Sequence, residues 1–213
     1  MGKVLTDADS DQTALYQNVN DRAAERAPAA FDVPRRASFL GVWEIPFFKG
    51  QRGPAGMLLG GWQLSGTMIM QSGLPLSVTN TAPYPKGDFN ADGTGGDRPN
   101  NPAATVRLDR YQISDYLTGI FRASDFPTPT LGANGNLGRN TFRGPGYIQT
   151  DASLSKKFAI TERIGLGLRL DACNVPNRKN LLEPVMDLNS NTFGKSTDTL
   201  PAKAYQANLR VTF

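Results

Sequence analysis

The residues with the clearest potential for chemistry are oxygen-bearing side chains in one glycine-rich segment, residues 88–97. Carboxylate and amide oxygens alternate there, and Gly93 permits a sharp turn, as in the first half of an EF-hand loop, where hard oxygen ligands suit Ca²⁺. The twelfth position holds Pro99 instead of the usual bidentate glutamate. The pattern predicts Ca²⁺ bound by Asp88, Asn90, Asp92 and Asp97. The alternative is a turn-rich loop in which these residue types serve backbone geometry.

A second polar segment, residues 134–146, combines Arg139 and Arg143 with the run Gly144-Pro-Gly146. It could cradle an anion. The structural interpretation is that the glycines and the proline set the entry into a following strand, while the arginines pair with loop carboxylates or line a lumen.

The composition argues against catalysis and against nucleic-acid binding. The chain has no histidine and a single cysteine, Cys173, so Ser153 and Ser155 have no histidine to activate them and the thiol has no candidate base. The net charge of +4 comes from scattered lysines and arginines without a basic run, which makes nucleic acid a poor candidate partner. We therefore predict no catalytic residue and no enzymatic activity.

Apolar periodicity predicts an all-β chain of about five antiparallel strands. In the last segment, apolar residues from Tyr205 to Phe213 alternate with polar ones, and Ile164 to Cys173 shows the same pattern. Arg169 and Asp171 share one face, as do Asn208 and Arg210 on the last strand, and in a barrel these four residues are expected to face the lumen. The five predicted strands are residues 35–48, 61–79, 147–158, 164–173 and 204–213.

Connection lengths favour a transmembrane β-barrel segment over a soluble β-sandwich, which shows the same alternation. The links 49–60 and 159–163 are short, whereas 80–146 and 174–203 are long, as expected for short periplasmic turns and long extracellular loops. Aromatic residues gather at the strand ends, where membrane interfaces place them. No run of 18 apolar residues is present, and the first residues, MGKVLTDADSDQ, are too polar for a signal peptide.

The chain ends on an amphipathic strand with a terminal aromatic residue. This ending is similar to the signal that the outer-membrane barrel-assembly machinery reads, here formed by Tyr205, Leu209, Val211 and Phe213.

Several motifs, in order along residues 30–213, resemble those of Oar-like TonB-dependent receptors. Arg36 stands where that family usually has histidine, and Cys173 where it has an aromatic residue. The matching motifs are Phe31-Asp-Val-Pro-Arg-Arg, Trp43-Glu-Ile-Pro-Phe-Phe-Lys-Gly, Gly60-Gly-Trp-Gln-Leu-Ser-Gly, Gln71-Ser-Gly-Leu-Pro-Leu-Ser-Val, Gly138-Arg-Asn-Thr-Phe-Arg-Gly-Pro-Gly-Tyr, Asp151-Ala-Ser-Leu-Ser-Lys-Lys-Phe, Leu168-Arg-Leu-Asp-Ala-Cys-Asn-Val-Pro-Asn, Phe193-Gly and Gln206-Ala-Asn-Leu-Arg-Val-Thr-Phe.

The resemblance implies the C-terminal part of a barrel of roughly twenty-two strands in the outer membrane of a Gram-negative-type bacterium. Its implied partners are outer-membrane lipid, the barrel-assembly machinery, and a plug and further strands that this chain lacks, with TonB reached only through that plug. Residues 1–34 are expected to be an extracellular loop or N-terminal remnant, and residues 35–213 the barrel strands with their long loops. The implied function is nutrient uptake with an unknown substrate; the alternatives are a soluble β-sandwich ligand-binding module and a barrel completed by a partner chain.

Overall fold

The computed structural model describes residues 5–6, 17–18, 20–48, 50, 52–93, 95–102, 106–107, 111–161 and 163–213. The chain divides into two compact units. We call the first the loop unit, which comprises Met1–Arg35, Gln71–Tyr147 and Asn180–Leu200. We call the second the sheet unit, which comprises Arg36–Met70, Ile148–Lys179 and Pro201–Phe213.

The sheet unit contains a five-stranded sheet of β3 (Arg36–Glu44), β4 (Trp62–Gln71), β7 (Tyr147–Ala159), β8 (Gly165–Cys173) and β9 (Ala204–Thr212). The strands lie side by side in the order of the sequence. Pairing of β7 with β8 and of β8 with β9 is antiparallel. This confirms the all-β antiparallel class predicted from the alternation of apolar residues.

The register places the apolar residues of three strands in continuous cross-strand rows. Leu168 lies opposite Leu209 on one side and Lys156 on the other, and Leu166 lies opposite Val211 and Phe158. Because side chains alternate between the two faces of a strand, one face of the sheet is apolar and the other polar. Further apolar rows are Leu154–Leu170–Ala207 and Ala152–Ala172–Tyr205.

Many apolar side chains of the sheet remain in contact with solvent. Leu209 is 68% exposed and Leu170 is 42% exposed, and every residue of β9 is exposed. A soluble sandwich would bury this face, since each buried leucine is worth roughly 1.5–3 kcal/mol. Within its described residues the sheet unit contains no second sheet, and the two remaining sheets are two-stranded and belong to the loop unit.

Two backbone hydrogen bonds give the register of β3 against β4. The amide of Ile45 donates to the carbonyl of Trp62 (2.9 Å), and that of Ser72 donates to the carbonyl of Arg35 (3.0 Å). Both pairs have the same sum of residue numbers, so one antiparallel register runs between them.

Two predicted strands are too long at their C-terminal ends. Residues 35–48 form a strand only to Glu44, because Pro46 cannot donate to the ladder and Phe48 has a φ of 54°. Residues 61–79 form a strand only to Gln71. Beyond it, Pro75–Leu76 pairs instead with Phe142–Arg143 in a separate small sheet.

The connection from β3 to β4 contains a helix that the sequence analysis missed. Helix α1 spans Gly53–Leu59, with Pro54 in its first turn and Gly60 at its C-cap. A Cβ on Gly60 would lie 2.0 Å from the carbonyl oxygen of Phe48, so only glycine fits at this position.

The loop unit has its own hydrophobic core, although residues 80–146 were predicted as a long loop. Phe121, Phe126 and Phe142 pack edge to face, with ring centroids 4.6–5.8 Å apart. Leu76, Val78, Leu137 and Phe193 complete the buried cluster. The small elements of this unit are β1 (Leu5–Thr6), β2 (Ala27–Pro28), β5 (Pro75–Leu76), α2 (Ile113–Thr118), a 3-10 turn (Ala123–Asp125) and β6 (Phe142–Arg143).

None of the helices in the described parts of the chain is long and apolar enough to cross a membrane.

Candidate functional site

The polar face of the sheet carries the four residues predicted to face a lumen. The register places Arg169 opposite Asn208, with Asp171 two residues along the same face and Arg210 opposite Gly167. Arg169 Nε donates to Asp171 Oδ1 at 2.8 Å, and Asn208 Nδ2 donates to Asp171 Oδ2 at 3.3 Å. The residues are therefore together on one face, and lining of a lumen remains a prediction.

A concavity of about 750 Å³ lies within the sheet unit beside these residues. It brings Lys157, Arg169 and Arg210 together with Glu44. The surface is thus rich in basic groups and hydrogen-bond donors, which suits contact with water or with a polar protein surface better than contact with lipid. The other lining residues include Gln63, Ser155 and Asn208.

Asp88 and Asp97, two of the predicted calcium ligands, are buried and accept hydrogen bonds from nearby backbone amides. Asp97 Oδ2 accepts from the amides of Phe89 (2.7 Å) and Asn90 (3.1 Å). Asp88 accepts from the amides of Asp92 (3.2 Å) and Gly93 (3.0 Å). Burial raises the pKa of Asp97, with Asp92 and Asp88 adding to the rise and the two amides opposing it. Carboxylates that accept hydrogen bonds from nearby backbone amides in this way stabilise a turn.

The other two predicted ligands lie in the same loop. Asn90 Nδ2 donates to Asp92 Oδ2 (3.1 Å), to Asn134 Oδ1 (2.9 Å) and to the carbonyl of Gln17 (2.8 Å). Among the residues that the structure describes, no three acidic or cysteine side chains converge on a position for a metal ion. Calcium binding by this loop remains a prediction.

The two arginines of the Gly138–Tyr147 motif bind the N-terminal part of the loop unit. Arg143 Nη2 lies 2.6 Å from Asp32 Oδ2, and its Nη1 donates to the Asp32 carbonyl at 2.7 Å. Arg139 donates to the carbonyls of Glu25 (3.2 Å) and Thr6 (2.7 Å). Arg143 thus pairs with a loop carboxylate, as the structural interpretation predicted, whereas these contacts of Arg139 are with backbone carbonyls.

Close backbone packing joins the Gln71–Val78 motif to the same Gly138–Tyr147 motif. A Cβ on Gly73 would lie 1.8 Å from the carbonyl oxygen of Gly144, whose amide donates to the carbonyl of Leu74. Asn140 and Ser77 exchange two hydrogen bonds of 2.8 and 2.9 Å. Three motifs distant in sequence therefore form one network in the loop unit.

A buried ion pair in the loop unit was not anticipated from sequence. Glu25 and Arg98 form two hydrogen bonds of 2.8 Å, with Glu25 1% and Arg98 5% exposed. Arg98 Nε also donates to the carbonyl of Leu137, and Gln17 bonds both partners. No spacing rule links residues 73 positions apart. The available signal was only that arginine and carboxylate are seldom buried unless paired.

The C-terminal strand presents the residues predicted to form the assembly signal. Tyr205, Leu209 and Val211 occupy the apolar face by register, and Phe213 follows the end of β9 with its side chain fully exposed. This geometry leaves the signal accessible, and its recognition by assembly machinery remains a prediction.

Comparison with known proteins gives one family. The family model described as "Outer membrane beta barrel domain" matches residues 2–210, nearly the whole chain. Neither the curated proteins nor the solved structures contain a match to this chain. Such barrels lie in the outer membrane and are typically not enzymes. In barrels of this kind the apolar face of the wall lies against lipid. The chain belongs to the outer-membrane β-barrel domain family.

Proposed function

We propose that this chain is the C-terminal wall segment of an Oar-like TonB-dependent receptor that takes up a nutrient across the outer membrane of a Gram-negative-type bacterium, without catalysis. The observation that carries the proposal is the five-stranded antiparallel sheet with one apolar face and one polar, basic face. In a transporter wall, the apolar face meets lipid and the polar face meets water or a plug.

The edges of the sheet support a larger barrel. In the described residues, β3 and β9 each pair with a strand on one side only. Unpaired backbone groups within hydrocarbon cost several kcal/mol each, so the wall requires further strands to close. A single long polypeptide supplies them in the proposed receptor, together with the plug that contacts TonB.

The contacts among the resembling motifs also support the proposal. Asp32 of the first motif binds Arg143 of the Gly138–Tyr147 motif, and the Gln71–Val78 motif packs against that same segment. Residues that bind each other in the fold are expected to recur together in a family. The resemblance therefore rests on a connected set of residues.

The proposal is tested by isolating outer membranes from the source bacterium and passing the detergent extract over the immobilised periplasmic domain of TonB. Peptides of this chain are expected in a retained polypeptide several times longer than 213 residues. Their presence only in an unretained polypeptide of the length of this chain would overturn the proposal. A second β-rich polypeptide that co-purifies with that short species would identify a barrel completed by a partner chain.

A further inference from the structure

Helix α1, Gly53–Leu59, carries no charged side chain and exposes its largest apolar ones. Leu58 is 64% exposed, and the preceding Phe47 and Phe48 are 64% and 57% exposed. Met57 and Leu59 are also exposed. A short connection in water would ordinarily place polar residues here, so this concentration of apolar surface indicates a specific contact.

The C-terminal carbonyl groups of α1 are bound by side chains from the sheet. Lys156 Nζ donates to the carbonyls of Met57 (2.5 Å), Leu58 (3.0 Å) and Gly60. Trp62 Nε1 also donates to the carbonyl of Leu58, at 3.1 Å. Water satisfies the last carbonyls of a helix that ends in solvent, whereas a helix end in an apolar medium needs protein donors.

Lys156 also shows on which face of the sheet the helix lies. It stands opposite Leu168 in the register, within the apolar rows, yet its side chain is only 2% exposed. Its ammonium group lies 4.6 Å from the ring centre of Phe158 and 5.4 Å from that of Trp62. The C-terminal end of α1 therefore covers Lys156 on the lipid-facing surface of the wall.

The position along the strands places this helix at one rim of the wall. The short-connection rim is the end of the sheet where Glu44, Trp62, Ala159 and Gly165 lie. A lysine on the lipid face is far less costly near the membrane interface than at the bilayer midplane. A capped lysine beside aromatic rings at a strand end fits the interface.

We propose that α1, with Phe47 and Phe48, is a membrane anchor at the boundary between headgroups and acyl chains, and that Lys156 is the positioning residue that holds it against the wall. The occupant of its exposed surface is the lipid leaflet at the short-connection rim, because that surface is continuous with the lipid-facing rows of the sheet. The inference rests on membership of the outer-membrane barrel family and is independent of TonB-dependent transport.

Depth-dependent quenching tests the anchor in the membrane-inserted protein, selected by heat-modifiable gel migration. In a Cys173→Ala background, a fluorophore is attached to Leu58→Cys, to the mid-sheet Leu170→Cys, or to Leu131→Cys in the loop unit. We expect Leu58 to be quenched more by phosphatidylcholine brominated at carbons 6,7 than at carbons 11,12, with Leu170 showing the reverse order. We expect aqueous iodide to quench the fluorophore at Leu58→Cys about fivefold less than the fluorophore at Leu131→Cys. Equal iodide quenching at Leu58 and Leu131 would overturn the anchor. Protection of Leu58 from iodide without quenching by brominated lipid would also overturn it and would indicate a protein partner.

The positioning role has a matched control in the next residue of the same strand. Lys156→Met removes the donors and is expected to raise iodide quenching at Leu58 about threefold or more, because unsatisfied carbonyls draw the helix end toward water. Lys157→Met changes the polar face and is expected to leave Leu58 unaffected, while Lys156→Arg keeps the donors and most of the protection. If Lys156→Met leaves Leu58 protected in heat-modifiable protein, Lys156 does not position the helix.

Discussion

Asp97 holds the glycine-rich loop by accepting two backbone amides while it is 2% exposed. Its pKa is raised, first by burial and then by Asp92 and Asp88, against the opposing amides. When folding raises the pKa of a carboxyl group, the group contributes its full stabilisation at pH values below its pKa in the unfolded chain. That contribution is lost as the pH rises through its pKa in the folded chain. Asp97 therefore stabilises the loop most at acidic pH.

We predict that the free energy of opening of residues 88–97 falls as pH rises from below 3.8 through the raised pKa of Asp97. Asp97→Asn keeps an oxygen that accepts the amides and should remove this dependence. Hydrogen exchange of the amides of Phe89 and Asn90, corrected for the intrinsic rate, measures both. A wild-type slope that matches that of Asp97→Asn contradicts the prediction.

The same measurement examines calcium. Ca²⁺ favours the ionised carboxylate, so binding at Asp88, Asn90, Asp92 and Asp97 would move the wild-type transition to lower pH, and Asp92→Ala would abolish the shift. An unchanged transition at millimolar Ca²⁺ contradicts the calcium prediction. The spacing of the loop was readable from sequence, but its backbone hydrogen bonds were not, because they depend on how the chain folds around buried Asp97.

Strands were the easiest elements to predict. When one face of a strand meets an apolar medium, apolar and polar residues alternate, and about ten residues are enough to show this alternation. All five strands of the sheet were found, and β8 and β9 were placed within one residue at each end. Helix α1 was missed because seven residues with two glycines and a proline show no helical period. Its carbonyls are held by Lys156, a contact that no local pattern contains.

The junction of β5 and β6 depends on the absence of a side chain at Gly73. A Cβ there would lie 1.8 Å from the carbonyl oxygen of Gly144, so Gly73→Ala must separate two backbones. We predict a loss of about 2 kcal/mol in the opening free energy of residues 74–76 and 142–144, the usual cost of overpacking. Hydrogen exchange of these amides provides the measurement.

Gly95→Ala is the control for this substitution within the same unit. Its Cβ would lie 3.6 Å from the nearest atom, the carbonyl oxygen of Thr81, which is ordinary contact. A change of less than about 0.5 kcal/mol is expected at a surface site of this kind. Equal effects of the two alanines would contradict the close-packing argument.

At the scale of the whole molecule, the two units have different sources of stability. The loop unit buries an aromatic cluster of its own, whereas the sheet exposes apolar residues such as Phe39 (59%) and Leu209 (68%) that lipid would cover. The sequence predicted the sheet and treated the loop unit as connections. Its core was not predictable because Leu76, Phe142 and Phe193 are far apart in the chain and lie in no periodic pattern.

We predict that transfer from detergent micelles to aqueous buffer separates the two units. Amides of β3 and β9 should lose protection by about a hundredfold, because their strands rely on an apolar medium, whereas amides near Val78 and Phe142 should change by less than about threefold. Hydrogen exchange with mass spectrometry, followed through detergent removal, measures both. Equal loss of protection in the two units would show that they form one cooperative structure.

The chain passes between the units at five points, three of which lie side by side while the other two form an adjacent pair. Arg35 bonds Ser72, Gly146 packs against the carbonyl of Gln71, and Leu200 donates to the carbonyl of Asn180 at 2.8 Å. A segment whose entry and exit points are adjacent can be inserted into a fold with little distortion of that fold. Evolution can therefore exchange or enlarge the loop unit without redesigning the barrel wall. Recombination between relatives should retain the strands and diversify at these crossings, and chimeras joined there should be the ones that fold.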